Sequence, residues 1–183
     1  MSNAGFDGVA RTLHWIMAIL IILMMFAGVG LEDLTPTART QPLMIHSGIG
    51  LVLLVLIIIR LWWRIRHPAP AYPQSMSKRQ QKLAKAVTRT FYGLMIFQPV
   101  VGIFSAATHI ETQVFPFALF NLTALLPSDA SVNQIFQTLH GTGFSLLALL
   151  LIGHVGVTLK HWFVDKDEIP SRMMPFVKPP RRD

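Results

Sequence analysis

Residues 12–31, TLHWIMAILIILMMFAGVGL, carry no charged side chain. A helix of that length rises about 30 Å, the hydrocarbon thickness of a bilayer. In hydrocarbon every backbone N–H and C=O must find its partner within the protein, which leaves the helix or the closed barrel. Three further apolar runs, about 43–63, 87–108 and 132–163, are again of helical rather than strand length. The sequence therefore predicts an all-α fold, an integral membrane four-helix bundle formed by one domain over residues 1–183. With 52% hydrophobic residues, 14% charged residues and a mean hydropathy of +0.49, an ordinary soluble domain is excluded. A cleaved leader is the rival reading of the first run, but no A-x-A site follows it and the run exceeds a usual leader core.

The connections are unequal. EDLTPTARTQP after the first run reads as a short polar loop, and HPAPAYP breaks regular structure after the second. KRQQKLAKAVTR then leads into the third run, inside which Pro99 is expected to kink the helix. Residues 113–126 are too short to cross and rich in phenylalanine, so they read as an interfacial or lid-like segment. The tail from about residue 165 is polar, proline-rich and expected to be partly irregular. Charge then orients the chain. Arg11, Arg60, Arg64, Arg66, the cations between Lys78 and Arg89, Lys160, Lys166, Arg172, Lys178, Arg181 and Arg182 fall on one side, and Arg39 alone on the other. By the positive-inside rule both termini are cytoplasmic. This topology also accounts for the pI near 10.4, so nucleic acid is not the implied partner; the lipid bilayer is.

Polar groups at membrane depth are costly and mark function, and this chain spends histidines there. His140 and His154 lie fourteen residues apart in the fourth run, close to four turns, so both rings leave one helix face about 21 Å apart. Chain direction matches the depth of His14 to that of His154 in the inner leaflet, and of His46 to that of His140 in the outer leaflet. Two pairs at two depths are what bis-histidine ligation of two stacked haems requires, because axial ligands approach a porphyrin from opposite faces. No cysteine is present, so covalent C-x-x-C-H attachment is excluded and any haem is of b type. Gly48, Gly50, Gly141, Gly143, Gly153 and Gly156 beside these histidines would give a flat macrocycle room. Taken alone, such glycines favour close helix packing. Metal without haem fits badly, since two histidines per site with no intramembrane Asp, Glu or Cys leave the coordination incomplete.

The other candidates stand at the boundary with water. Arg11 and Arg60 are suited to neutralise haem propionates, with snorkelling as the alternative. His161 shares nearly the face of His154 and lies between Lys160 and Trp162; Lys160 and His161 are candidates for propionate or quinone contacts. His67 and His109, at span ends, are read as solvated or interfacial.

Taken together, R-x-x-H-W at Arg11 to Trp15, M-I-H-S-G-I-G around His46, the R-L-W-W-R exit, L-H-G at His140 and K-H-W…R-M-M-P through Met173, Met174 and Pro175 resemble the bacterial cytochrome b561 family of small four-helix di-haem membrane proteins. The resemblance covers nearly the whole chain. It implies two b haems, His14 with His154 and His46 with His140 as axial iron ligands, in a multi-pass protein of the bacterial inner membrane. It also implies electron transfer between an outer one-electron donor, superoxide or a redox protein, and the ubiquinone pool. Some members resemble superoxide oxidase; others resemble non-catalytic cytochrome relay subunits of dehydrogenases or hydrogenases. Superoxide-oxidising members present cations on the outer face, whereas here Arg39 faces Glu32, Asp33, Glu111 and Asp129. Arg39 is the one outer cation available for a local positive entrance. Because two histidines fill both axial positions of an iron, the haems of such a protein relay electrons and leave no open site for a substrate.

Overall fold

A computed structural model of the chain describes residues 5–31, 33–74 and 76–174. Glu32, Pro175, Lys178, Arg181 and Arg182, which entered the charge and motif readings, lie outside these residues. Four long helices account for the fold: α1 (Gly8–Gly28), α2 (Pro36–Arg66), α3 (Lys78–Ala107) and α4 (Ala130–Lys160), the last continuing through a π-helical turn, His161–Asp165. All four are long and apolar enough to cross a membrane. The two ends of the bundle differ in charge. Asp33, Glu111 and Asp129 lie at the acidic end; Arg64, Arg66 and the cations between Lys78 and Arg89 lie at the basic end.

The helices outrun the apolar stretches because short polar side chains start them. Asp7 Oδ1 accepts from Ala10 N at 2.9 Å, and Thr35 caps α2 with Pro36 at its first position. Ser77 and Gln80 form a capping box on α3, with Ser77 N donating to Gln80 Oε1 at 2.7 Å. At the start of α4 the carboxylate of Asp129 accepts from the Ser131 hydroxyl and from the amides of Ser131 and Val132. These donors, the hydroxyl first, hold it below the usual carboxylate range. The second span thus begins at Pro36 rather than near residue 43, and α3 runs without interruption through Pro99.

Sequential helices pack as neighbours, α1 on α2, α2 on α3 and α3 on α4. Toward α1 and α2, by contrast, α4 comes close at few points, and the histidines face one another across that gap. Large apolar side chains such as Phe26, Leu149 and Ile152 are exposed on the outside, the inverse of a soluble core. At the acidic end residues 113–126 form two 3₁₀ turns, Pro116–Ala118 and Leu122–Ala124. Val114, Pro116 and Leu122 are buried, with Val114 and Leu122 packed against Ala106, so the segment is a lid folded onto the bundle. Phe117, at φ +46°, lays its ring against Gly48, where a Cβ would stand 2.7 Å from ring carbons; only glycine fits there.

Two boundary residues depart from expectation. His109 is not solvated: it is 5% exposed, and its Nδ1 accepts from the amides of Glu111 and Thr112. Arg39 is no surface entrance either: it is 6% exposed, donates to the Leu34 carbonyl at 3.0 Å and lies 3.4 Å from His109 Nε2. Both errors have one cause. The two side chains meet across seventy residues of sequence, and such burial cannot be read from position in a loop. His67 is exposed and stacked on Trp63, as an interfacial side chain would be.

Candidate functional site

Helix geometry sets the depths. His46 and His140 each stand ten residues into α2 and α4 from the acidic end, about 15 Å along the axis. His14 stands six residues into α1 from the basic end, and His154 six residues before the end of α4, about 9 Å in. The rings therefore meet in pairs. His14 and His154 have centroids 6.4 Å apart with planes at 74°, and His46 and His140 have centroids 6.2 Å apart at 73°.

These separations can be tested against one iron per pair. An imidazole nitrogen lies about 1.1 Å from its ring centre and ~2.0 Å from a bound first-row metal, so two rings sharing an iron have centres about 6.2 Å apart. A direct hydrogen bond between the rings would draw them closer, since N···N contacts lie near 2.9 Å. Both pairs thus fit a bis-histidine haem iron. The surroundings of the second pair fit as well. A cavity of about 330 Å³ surrounds His46 and His140, lined mainly by apolar residues of all four helices.

Glycines admit the rings, though not all those singled out from sequence. A Cβ on Gly28 would stand 3.2 Å from His46 Cε1, and one on Gly102 would stand 3.0 Å from His140 Cε1. At Gly141, Gly153 and Gly156 a Cβ would meet nothing within 4 Å, and Gly48 makes room for Phe117 instead. Gly28 and Gly102 were missed because each lies on a helix opposite the histidine it accommodates, far from it in sequence.

The two histidines at the acidic end are held differently. His140 Nδ1 donates to the Gln98 carbonyl at 3.1 Å, while Gln98 Nε2 donates to the His140 carbonyl at 2.9 Å. His46 Nδ1 is buried with no hydrogen-bond partner among the described residues. Gln98 also escaped the sequence reading, although a polar amide within a span was the signal that could have found it.

At the basic end Arg60 Nη1 donates to the Ala10 carbonyl at 3.0 Å and lies close enough to act electrostatically on His14. Arg11 is half-buried, its Nε without a hydrogen-bond partner among the described residues. Lys160 is engaged by both oxygens of Asp165, at 2.7 and 2.6 Å. His161 Nδ1 lies 2.7 Å from Asp167 Oδ2 and 3.2 Å from Asp165 Oδ2, leaving Nε2 as the nitrogen open to a ligand. Three of these residues, His161, Asp165 and Asp167, also bring ligand-type atoms together, but the short ring-to-carboxylate and Lys160 contacts describe an ion-pair network.

Comparison with known proteins accords with this geometry. The family model described as Prokaryotic cytochrome b561 matches residues 5–176. The chain is 25% identical over 169 residues to cytochrome b561 homolog 2 of Escherichia coli (strain K12), covering 91% of this chain and 89% of that protein. It is 25% identical over 166 residues to cytochrome b561 homolog 1 of the same organism, with 89% and 93% covered. To the probable superoxide oxidase CybB of Yersinia pestis it is 28% identical over 169 residues, with 89% and 92% covered.

Proposed function

Because the chain belongs to the prokaryotic cytochrome b561 family, and is thus a multi-pass bacterial membrane cytochrome with b-type haem, we propose that it holds two haems and carries electrons between the two sides of the inner membrane. His14 and His154 hold one iron near the basic end; His46 and His140 hold the other toward the acidic end. The observation that carries this reading is the pair of ring separations, 6.4 and 6.2 Å, at two depths. When bound, the haems supply one-electron redox chemistry.

The residues of the chain do the rest. Each pair of imidazoles would hold an iron from both sides, so donor and acceptor would exchange electrons at the cofactor's edge. On α4 the two ligands are about 21 Å apart, which places one site near each side of the bilayer. By the positive-inside rule the basic end is cytoplasmic, and the donor meets the acidic end. Arg11 and Arg60 place cationic charge beside the His14 site, which favours the reduced state there and directs electrons inward. Between the two roles open to His161, quinone contact is favoured over a propionate. Asp165 and Asp167 repel a further carboxylate, whereas Nε2, the acceptor nitrogen when Nδ1 turns its proton to those carboxylates, is left to accept from the hydroxyl of the reduced quinone.

The name of the Yersinia pestis relative makes superoxide a candidate donor. Two superoxide ions would each give up one electron and leave as O₂, and ubiquinone would take both electrons with two protons from the cytoplasmic side. A relay subunit without catalysis of its own is the second reading, favoured by the acidic rather than cationic outer end. Pyridine haemochrome analysis of the purified protein tests the core of the proposal. Two b haems per chain are expected, with the acidic-end haem lost from His46→Ala or His140→Ala and the basic-end haem from His14→Ala or His154→Ala. One haem per chain sinks it. Reduction of a ubiquinone analogue by superoxide with the isolated protein separates the enzyme from the relay.

A further inference from the structure

Gln98 holds His140 through two hydrogen bonds at once, its main-chain carbonyl taking the Nδ1 proton and its side-chain amide donating to the carbonyl of the same histidine. Taking the Nδ1 proton fixes the tautomer and leaves Nε2 to bind the iron. The amide bond ties the peptide of His140 to α3, so the ring cannot turn without breaking the second contact. Two glycines permit this approach. A Cβ on Gly143 would collide with Gln98 Oε1, and one on Gly102 would press on the His140 ring at 3.0 Å. One heptad nearer the acidic end, Asn133 Nδ2 donates to the Ser105 carbonyl at 2.7 Å. Residues 98 and 105 on α3, and 133 and 140 on α4, are each seven apart, so the two contacts lie on one seam and fix the register between the helices.

The partner ligand is treated otherwise: His46 Nδ1 is buried without an acceptor among the described residues. We infer that Gln98 is a positioning residue for the acidic-end haem, fixing the tautomer and plane of His140 and making this imidazole the more basic of the two axial ligands. The inference rests on His140 being a haem ligand. A carbonyl that draws on the Nδ1 proton raises ligand basicity, which stabilises the oxidised iron. The 73° angle between the rings of His46 and His140 is the geometric counterpart, with the plane of His140 fixed by its Nδ1 contact and the His46 ring packed against Gly28. With potential and ring angle set by α3, the acidic-end site is tuned from a helix that carries no ligand.

The test uses the full-length, haem-loaded protein in detergent with Gln98→Leu, which leaves the main-chain carbonyl but removes the amide that ties the His140 peptide to α3 and so loosens the Nδ1 contact, and Gln98→Met, which keeps nearly its length and volume. Redox titration should show the acidic-end haem shifted about threefold toward the reduced form at fixed poise, roughly 30 mV for a one-electron couple given 59 mV per tenfold. Low-temperature EPR should show its high g-maximum signal, the signature of near-perpendicular axial imidazoles, move to lower g. The basic-end haem should keep both values. Selective weakening of acidic-end haem binding in both variants also supports the inference, because a residue that only fills space tolerates methionine. Unchanged potential and spectrum, or equal disturbance of both haems, overturns it. His140→Ala separates the underlying assignment: if that variant keeps two haems, the ligand reading fails whatever Gln98 does.

Discussion

Two arginines at the basic end stand near His14 in different ways, Arg60 close enough to act on it electrostatically and Arg11 about one turn away along α1. Arg60 is committed to the Ala10 carbonyl, whereas Arg11 keeps a buried Nε without a hydrogen-bond partner among the described residues. A half-buried guanidinium left in that state costs free energy unless an acceptor meets it, and a propionate carboxylate is such an acceptor. Arg11→Gln should therefore lower the potential of the basic-end haem. At fixed poise the shift should be about tenfold toward the oxidised form, 59 mV for one electron. Spectroelectrochemical titration of the two proposed haems checks this; an unchanged potential leaves snorkelling as the account of Arg11. At His161 the consequence is kinetic. His161→Ala should slow quinone reduction while leaving both haem spectra intact, which stopped-flow with a ubiquinone analogue measures.

At the scale of elements, a single carboxylate joins two helices. Asp7 caps α1 through Ala10 N and accepts from Trp63 Nε1 near the end of α2 at 3.0 Å. The backbone N–H of Ala10 foremost, and Trp63 after it, hold this carboxyl below the usual carboxylate range. The stability it contributes is thus present above the unfolded pKa of about 3.9 and lost as pH falls through the lower folded value. Asp7→Ala should cost about 1 kcal/mol near neutral pH, the usual size of a lost N-cap. Thermal unfolding followed by circular dichroism should show the gap between variant and parent narrowing below pH ~4.

For the whole molecule, the distribution of charge decides how an anionic donor arrives. Asp33, Glu111 and Asp129 are exposed at the acidic end, and Arg39 is buried beside His109. A small anion such as superoxide therefore meets no cationic funnel at that end among the described residues. Its rate of haem reduction should stay flat or rise as ionic strength goes from about 0.01 to 0.1 M, where the Debye length falls from ~30 to ~10 Å. Stopped-flow haem reduction by superoxide across that range is the measurement. A steep fall in rate would reveal a focused positive patch and strengthen the superoxide reading.

The sequence by itself determined the all-α membrane class and the approach of His14 to His154 and His46 to His140. Length, apolarity and helical rise are local quantities that add along the chain. The helix starts at Asp7, Thr35, Ser77 and Asp129 were not legible from the apolar runs, which open near residues 12, 43, 87 and 132, because a cap is a polar signal that acts within one turn outside them. Only the tertiary structure decided which glycines meet the rings, because Gly28 and Gly102 act on histidines of other helices. It alone buried Arg39 and His109 against each other, and it alone matched Gln98 to His140, forty-two positions away in the chain. Such contacts depend on the register between packed helices, which one helix's periodicity does not contain.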